Sequence, residues 1–80
     1  MTDAEVKSLD VVIARFVIPR LIEFRDHAES CPGIVAGMDA WRWELDRMIR
    51  AWQHVANREY NQETRSALLL FARRLPELWS

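Results

Sequence analysis

Trp41-Arg42-Trp43-Glu44-Leu45-Asp46-Arg47-Met48-Ile49-Arg50-Ala51-Trp52-Gln53-His54-Val55-Ala56 is the most informative stretch of the 80-residue sequence. Trp41, Leu45, Met48, Trp52 and Val55 step by four, three, four and three residues, the period that lines side chains along one face of an α-helix. Ile49 and Ala56 widen the stripe in the way a bundle helix requires. The pattern predicts a helix from Ala40 to about Arg58. Asp39 is the expected N-cap, because its carboxylate accepts from free amides and suits the positive end of the helix dipole.

Upstream, Leu9, Val12, Ile13, Phe16 and Val17 repeat at three and four residues and are the predicted core face of a first helix. Thr2 and Glu5 fit a capping box that would start it near Asp3. Pro19 lacks an amide proton and crowds the carbonyl four residues back, so a kink is expected near Ile18, with helix resuming through Leu21 and Phe24 to about His27. Two short helices are the alternative. Val11, Ile18 and Ile22 fall on the side opposite Leu9 and Phe16, so this helix is apolar on two faces. Such a helix is usually buried in its own domain or covered by another subunit.

Glu29 to Met38 carries two Gly and a Pro with no helical period and reads as a loop, pinned to the core by Ile34 and Val35. Asn61 is the predicted cap of a third helix with Leu68, Phe71 and Leu75 as its inner stripe, ended or bent by Pro76, and Trp79 is expected to fold back onto the core. The expected architecture is all-α: a small three-helix bundle, first helix kinked at Pro19, oligomeric, with residues 1–80 forming one domain. Eighty residues are too few to build two cores.

Composition narrows the functional classes. Half of the residues are hydrophobic and 29% are charged, with two Gly and three Pro, which is the make-up of a folded domain rather than a disordered one. A net charge of −1 gives no whole-molecule field that would attract nucleic acid or an anionic bilayer. Lys7 is the only lysine, so the other basic residues are all Arg, a bias that fits either bidentate anion recognition or a GC-rich genome. The longest apolar run, Val11 to Ile22, is interrupted by Arg15, Pro19 and Arg20 and falls short of the roughly 20 residues of a membrane span. A lone cysteine, Cys31, with no signal-peptide pattern points to a reducing compartment, the cytoplasm by default.

Glu23, His27 and Cys31 are spaced by four and would share a helical face as a partial metal site, with His54 a distant fourth ligand. Zinc sites usually carry paired Cys or His motifs, and Pro32 and Gly33 interrupt the helix, so no metal and no cofactor are expected. Cys31 has no orienting third residue or oxyanion glycine motif, and an inert thiol is the plainer expectation. No acid, base and nucleophile converge in the sequence, so the chain is not expected to be an enzyme.

The most suggestive surface is Trp43 with Arg47, joined by Arg50 and His54, all pointing away from the Trp41 to Val55 stripe. A cation beside an exposed indole can clamp an anion or stack on a base. The plainer alternative is a solvated face with Trp43 covered by the C-terminal tail or another subunit. Glu44 and Asp46 lower the local positive potential and weigh against duplex nucleic acid. Arg65, Arg73 and Arg74 form a second basic edge, although cations near a helix C-terminus already complement its dipole. A helix-turn-helix joined at Asn57 to Asn61 is disfavoured by the length of the preceding helix.

Asp10 through Phe24, then Cys31-Pro32-Gly33, then Trp41 through Trp52 resemble a group of small phage-encoded proteins of unassigned function. The shared features are an Ile-Pro-Arg-Leu run followed by Phe, a Pro/Gly loop, and a Trp helix containing Leu45-Asp46-Arg47-Met48-Ile49 with Trp52. The resemblance covers about half the chain, and the small residues from Val35 to Gly37 lengthen the loop beyond the shared pattern. It implies a phage or prophage protein in a bacterial cytoplasm that acts by binding. The expected role is protein–protein interaction, including the blocking of a host factor, through Trp43, Arg47 and Arg50, since Trp and Arg dominate interface hot spots. The alternative is an oligomeric binder of a small anionic ligand such as a nucleotide. A structural role in a virion is a further option.

Overall fold

The computed structural model describes residues 8–33 and 35–78. Among the described residues three helices follow one another, α1 (Leu9–Asp26), α2 (Met38–Ala56) and α3 (Gln62–Arg74), and a 3₁₀ turn over Leu75–Glu77 follows α3. The all-α, three-helix expectation therefore holds. The capping box at Thr2 and Glu5, the role of Ile34 and the packing of Trp79 lie outside the described residues.

α2 is the central element. It packs against both neighbours, whereas among the described residues no Cα of α1 comes within 8 Å of one in α3. The three helices run up, down and up. Phe24 meets Trp41 at one end of the α1–α2 pair, and at the other end Tyr60, just beyond α2, donates to Asp10 near the start of α1 at 2.7 Å. Glu44 pairs with Arg74 and His54 with Thr64, so α2 and α3 are also antiparallel. They form an αα-hairpin, and the helix-turn-helix alternative falls away because its helices would cross at about 90–120°.

The stripe read from α2 is the core. Trp41, Leu45, Met48, Ile49 and Val55 are buried, and Ala51 joins them on the side that meets α3. Trp52 is half-buried, edge-on to Phe71 with 5.4 Å between ring centroids. The helix starts at Met38 rather than Ala40, and Gly37 instead of Asp39 stands at the N-cap. Its φ of 100° explains why the chain turns here, since a side chain would be strained in that conformation. Asp39 sits inside the first turn, where its charge still favours the helix dipole. Val35 is buried and pins the loop as expected.

Two expectations about core faces are corrected. In α1 the buried residues are Ala14 and Leu21, with Val17, Ile22 and Phe24 packed against the core from partly buried positions. Leu9, Val12, Ile13 and Phe16 point outward. The reason is packing: among the described residues α1 has one helical neighbour, and the methyl of Ala14 lets α2 approach where a larger side chain would hold it off. In α3 the buried residues are Thr64 and Ala67, Leu68 and Phe71 are half-buried, and Leu75 is exposed because the helix gives way to the Pro76 turn before it. α1 itself is continuous through Pro19, which sets aside two separate short helices. The Arg20 guanidinium donates to the Phe16 carbonyl at 2.8 Å, next to the carbonyl of Arg15 that the proline leaves without its helical donor.

Asn61 caps α3 as predicted. Its side-chain oxygen accepts from the Thr64 amide at 2.8 Å and from the Thr64 hydroxyl at 2.9 Å. Removing this acceptor frees a helix-end donor and takes one of two partners from the buried Thr64 hydroxyl, so Asn61→Ala is expected to lower stability by about 1–2 kcal/mol in urea denaturation. A variant as stable as the parent would contradict that account.

Candidate binding surface

On α2, residues 43, 47, 50 and 54 recur at the helical period on the side away from Trp41, so the periodicity that buries one face turns theirs outward, with Trp43 and Arg50 exposed and Arg47 and His54 half-buried. Trp43 is 61% exposed while Trp41, two residues earlier, is 1% exposed. Within one chain, the described residues therefore leave most of Trp43 uncovered. The Arg47 guanidinium carbon stands 5.1 Å from the Trp43 ring centroid, within the range in which the ring's negative face attracts a cation. One face of the indole is thus held by Arg47, which restricts the side chain before any partner arrives.

Arg50 and His54 are placed differently. Arg50 reaches Glu63 at 3.8 Å across an exposed gap, a pairing of small energetic value that also offsets its charge. His54 uses Nδ1 to bond the Thr64 hydroxyl at 3.1 Å, so it helps to seat α3 on α2. Arg47, Arg50 and His54 line one crevice with Thr64, Ala67, Ala51 and Glu63, and its volume of about 10 Å³ is room for one water. All four predicted residues lie along one ridge: Trp43 and Arg50 are exposed, Arg47 is half-buried beside the indole, and His54 is largely spent on packing.

The second basic edge does not persist as a unit. Arg74 donates through Nε to Glu44 at 2.8 Å in a mostly buried ion pair, while Arg65 and Arg73 remain exposed. Sequence reasoning also missed Arg25, which binds Asp46 at 2.9 Å and Asp26 at 3.1 Å and ties α1 to α2. The hydrogen bonds to Asp46 and Asp26 hold the Arg25 guanidinium above its usual range. The Arg25–Asp46 and Arg74–Glu44 pairs join distant positions and leave no local spacing by which to find them.

Glu23, His27 and Cys31 do converge on one groove, of about 740 Å³, at the junction of α1, the loop, Trp41 and the Pro76 turn. Among the described residues, however, no three His, Cys, Asp or Glu side chains come together closely enough to hold a metal ion. His27 Nδ1 is engaged with the Glu23 carbonyl at 2.9 Å, as a residue closing the last turn of α1. No helix of the described residues is long and apolar enough to cross a membrane.

The far end of α1 is clasped by Tyr60. Its hydroxyl donates to Asp10, and that bond holds the Asp10 carboxyl below the ordinary aspartate range and raises Tyr60 above the ordinary tyrosine range. A carboxyl depressed in the folded state contributes stability that is complete above about pH 4 and is lost as the pH falls through its folded value. Tyr60→Phe should therefore flatten the stability profile between about pH 5 and pH 2 while leaving the carboxyl of Asp10 in place. Thermal melts across that window check it, and parallel profiles for both proteins would contradict it.

Against this geometry, no protein-family model, no curated protein and no solved structure matches the chain. The phage resemblance therefore rests on its quoted motifs alone.

Proposed function

We propose that the chain is a protein-binding module whose contact is anchored by Trp43 and Arg47. The observation that carries this reading is an indole left mostly in water and braced by a guanidinium, on the outer side of the helix that forms the core. An exposed tryptophan has a large apolar area to bury, and a side chain already restrained loses less conformational entropy on binding. Arg50 extends the surface, and His54 supports it from behind. The resemblance to phage-encoded proteins makes a host protein in a bacterial cytoplasm the natural class of partner and binding, rather than catalysis, the role. Self-association and a bend of α1 at Pro19 belong to the same reading.

Trp43→Ala and Arg47→Ala test it. Each should weaken capture of the partner by about 30-fold or more, the scale of an interface hot spot, with melting behaviour close to that of the parent. Quantitative capture from bacterial extract by the parent and the two variants supplies the comparison. Equal recovery by all three proteins would sink the reading. The alternative of a small-anion or nucleotide binder has less support, because the crevice beside Arg47 and Arg50 has room for one water and Glu63 lies across it. A nucleotide present at about 100 times its dissociation constant would add about 2.7 kcal/mol of stability and show as a thermal shift.

A further inference from the structure

The outer face of α1 carries four of the large apolar residues that the described fold leaves exposed. Leu9 is 47% exposed, Val12 37%, Ile13 41% and Phe16 59%, and they lie side by side over two turns of helix. A single exposed aliphatic residue is ordinary, but this group presents on the order of 300 Å² of apolar surface, the size of the largest patch on a typical monomer, which is often functional. α3 does not reach it, because α3 packs on the other side of α2. The Arg20 guanidinium lies over the Phe16 ring at 3.6 Å and closes the stripe at its C-terminal end.

The spacing of the four residues suits a second copy of the same helix. Positions 9, 12, 13 and 16 are symmetric about the point between Val12 and Ile13. A two-fold axis through that point, perpendicular to the helix, lays a second α1 antiparallel on the first. It sets Leu9 of each copy against Phe16 of the other, Val12 against Val12 and Ile13 against Ile13. Every exposed apolar residue of the group then meets an apolar residue, which is the self-complementarity that a two-fold interface requires. We infer that this face binds a second copy of the chain, forming an antiparallel two-fold dimer along α1. Two such patches make an interface smaller than about 1,200 Å² in total, so the dimer is reversible and depends on concentration. This inference deepens the self-association in the proposed function; the face belongs to α1 and not to the Trp43 side of α2, so its failure would remove that self-association and leave the Trp43–Arg47 contact standing.

Sedimentation equilibrium of the full chain from about 1 μM to about 1 mM reads the association directly. A monomer–dimer equilibrium is expected, weakened by about 30-fold or more in Phe16→Glu, whose exposed position spares the fold, as circular dichroism confirms. Orientation is read by thiol cross-linking in a Cys31→Ala background with a short bis-maleimide. Ile13→Cys should cross-link to itself. Leu9→Cys should cross-link poorly to itself and readily to Phe16→Cys when the two proteins are mixed. A monomer at every concentration, a dimer indifferent to Phe16→Glu, or self-linking of Leu9→Cys as efficient as that of Ile13→Cys would overturn the inference.

Discussion

Trp41→Ala is expected to leave the chain without a stable fold at room temperature. The indole is 1% exposed, stands edge-on to Phe24 with 6.5 Å between ring centroids, and joins α1 to α2 at the end where the loop returns. Emptying such a site costs about 3–5 kcal/mol, from lost transfer energy together with the cavity left behind. One core in a chain of this size supplies roughly 3–5 kcal/mol in total, so little or nothing remains. Far-UV circular dichroism and urea denaturation report the outcome, and a cooperative transition near that of the parent would remove Trp41 from the centre of the core. Trp43→Ala, two residues away, should change stability by no more than about 0.5 kcal/mol, as surface substitutions usually do.

The second large effect is expected at Glu44. Its carboxylate accepts from Arg74 Nε at 2.8 Å in a pair that both partners keep mostly out of water. Glu44→Ala leaves a guanidinium half-desolvated with no counter-charge, and the loss should be about 1.5–3 kcal/mol, the range for a hydrogen bond to a charged group. Replacing both partners by leucine should recover much of that loss, because the burial of two apolar groups costs no desolvation of charge. Urea denaturation of the single and double variants makes the comparison. A double variant as unstable as Glu44→Ala would show that the pair does more than satisfy itself.

Legibility in the sequence followed the number of neighbours each helix has. α2 is packed on two sides by α1 and α3, so a broad stripe of large apolar residues had to face inward, and its period gave both the core and the opposite, open face with Trp43 and Arg47. Among the described residues α1 has one helical neighbour. Its seam is marked by Ala14, a residue that periodicity discounts because it carries little apolar volume, whereas the heavier stripe of Leu9, Val12, Ile13 and Phe16 drew the core assignment and lies outside. The two-faced pattern was visible, but which face the chain itself would cover depended on the position of α3. The same holds for the site. That Trp43, Arg47, Arg50 and His54 share a side follows from spacing alone, while the engagement of Arg50 by Glu63 and of His54 by Thr64 depends on the register of α3, which no local spacing encodes.

The central claim is that Trp43 and Arg47 form a binding surface separate from the core. Native mass spectrometry of the protein purified gently from bacterial cytoplasm, with Trp43→Ala prepared in parallel, tests it most directly. The predicted result is a parent chain carrying the added mass of a second protein and a folded Trp43→Ala chain without it. A parent free of any other protein, or a variant that retains the same added mass, would contradict the account.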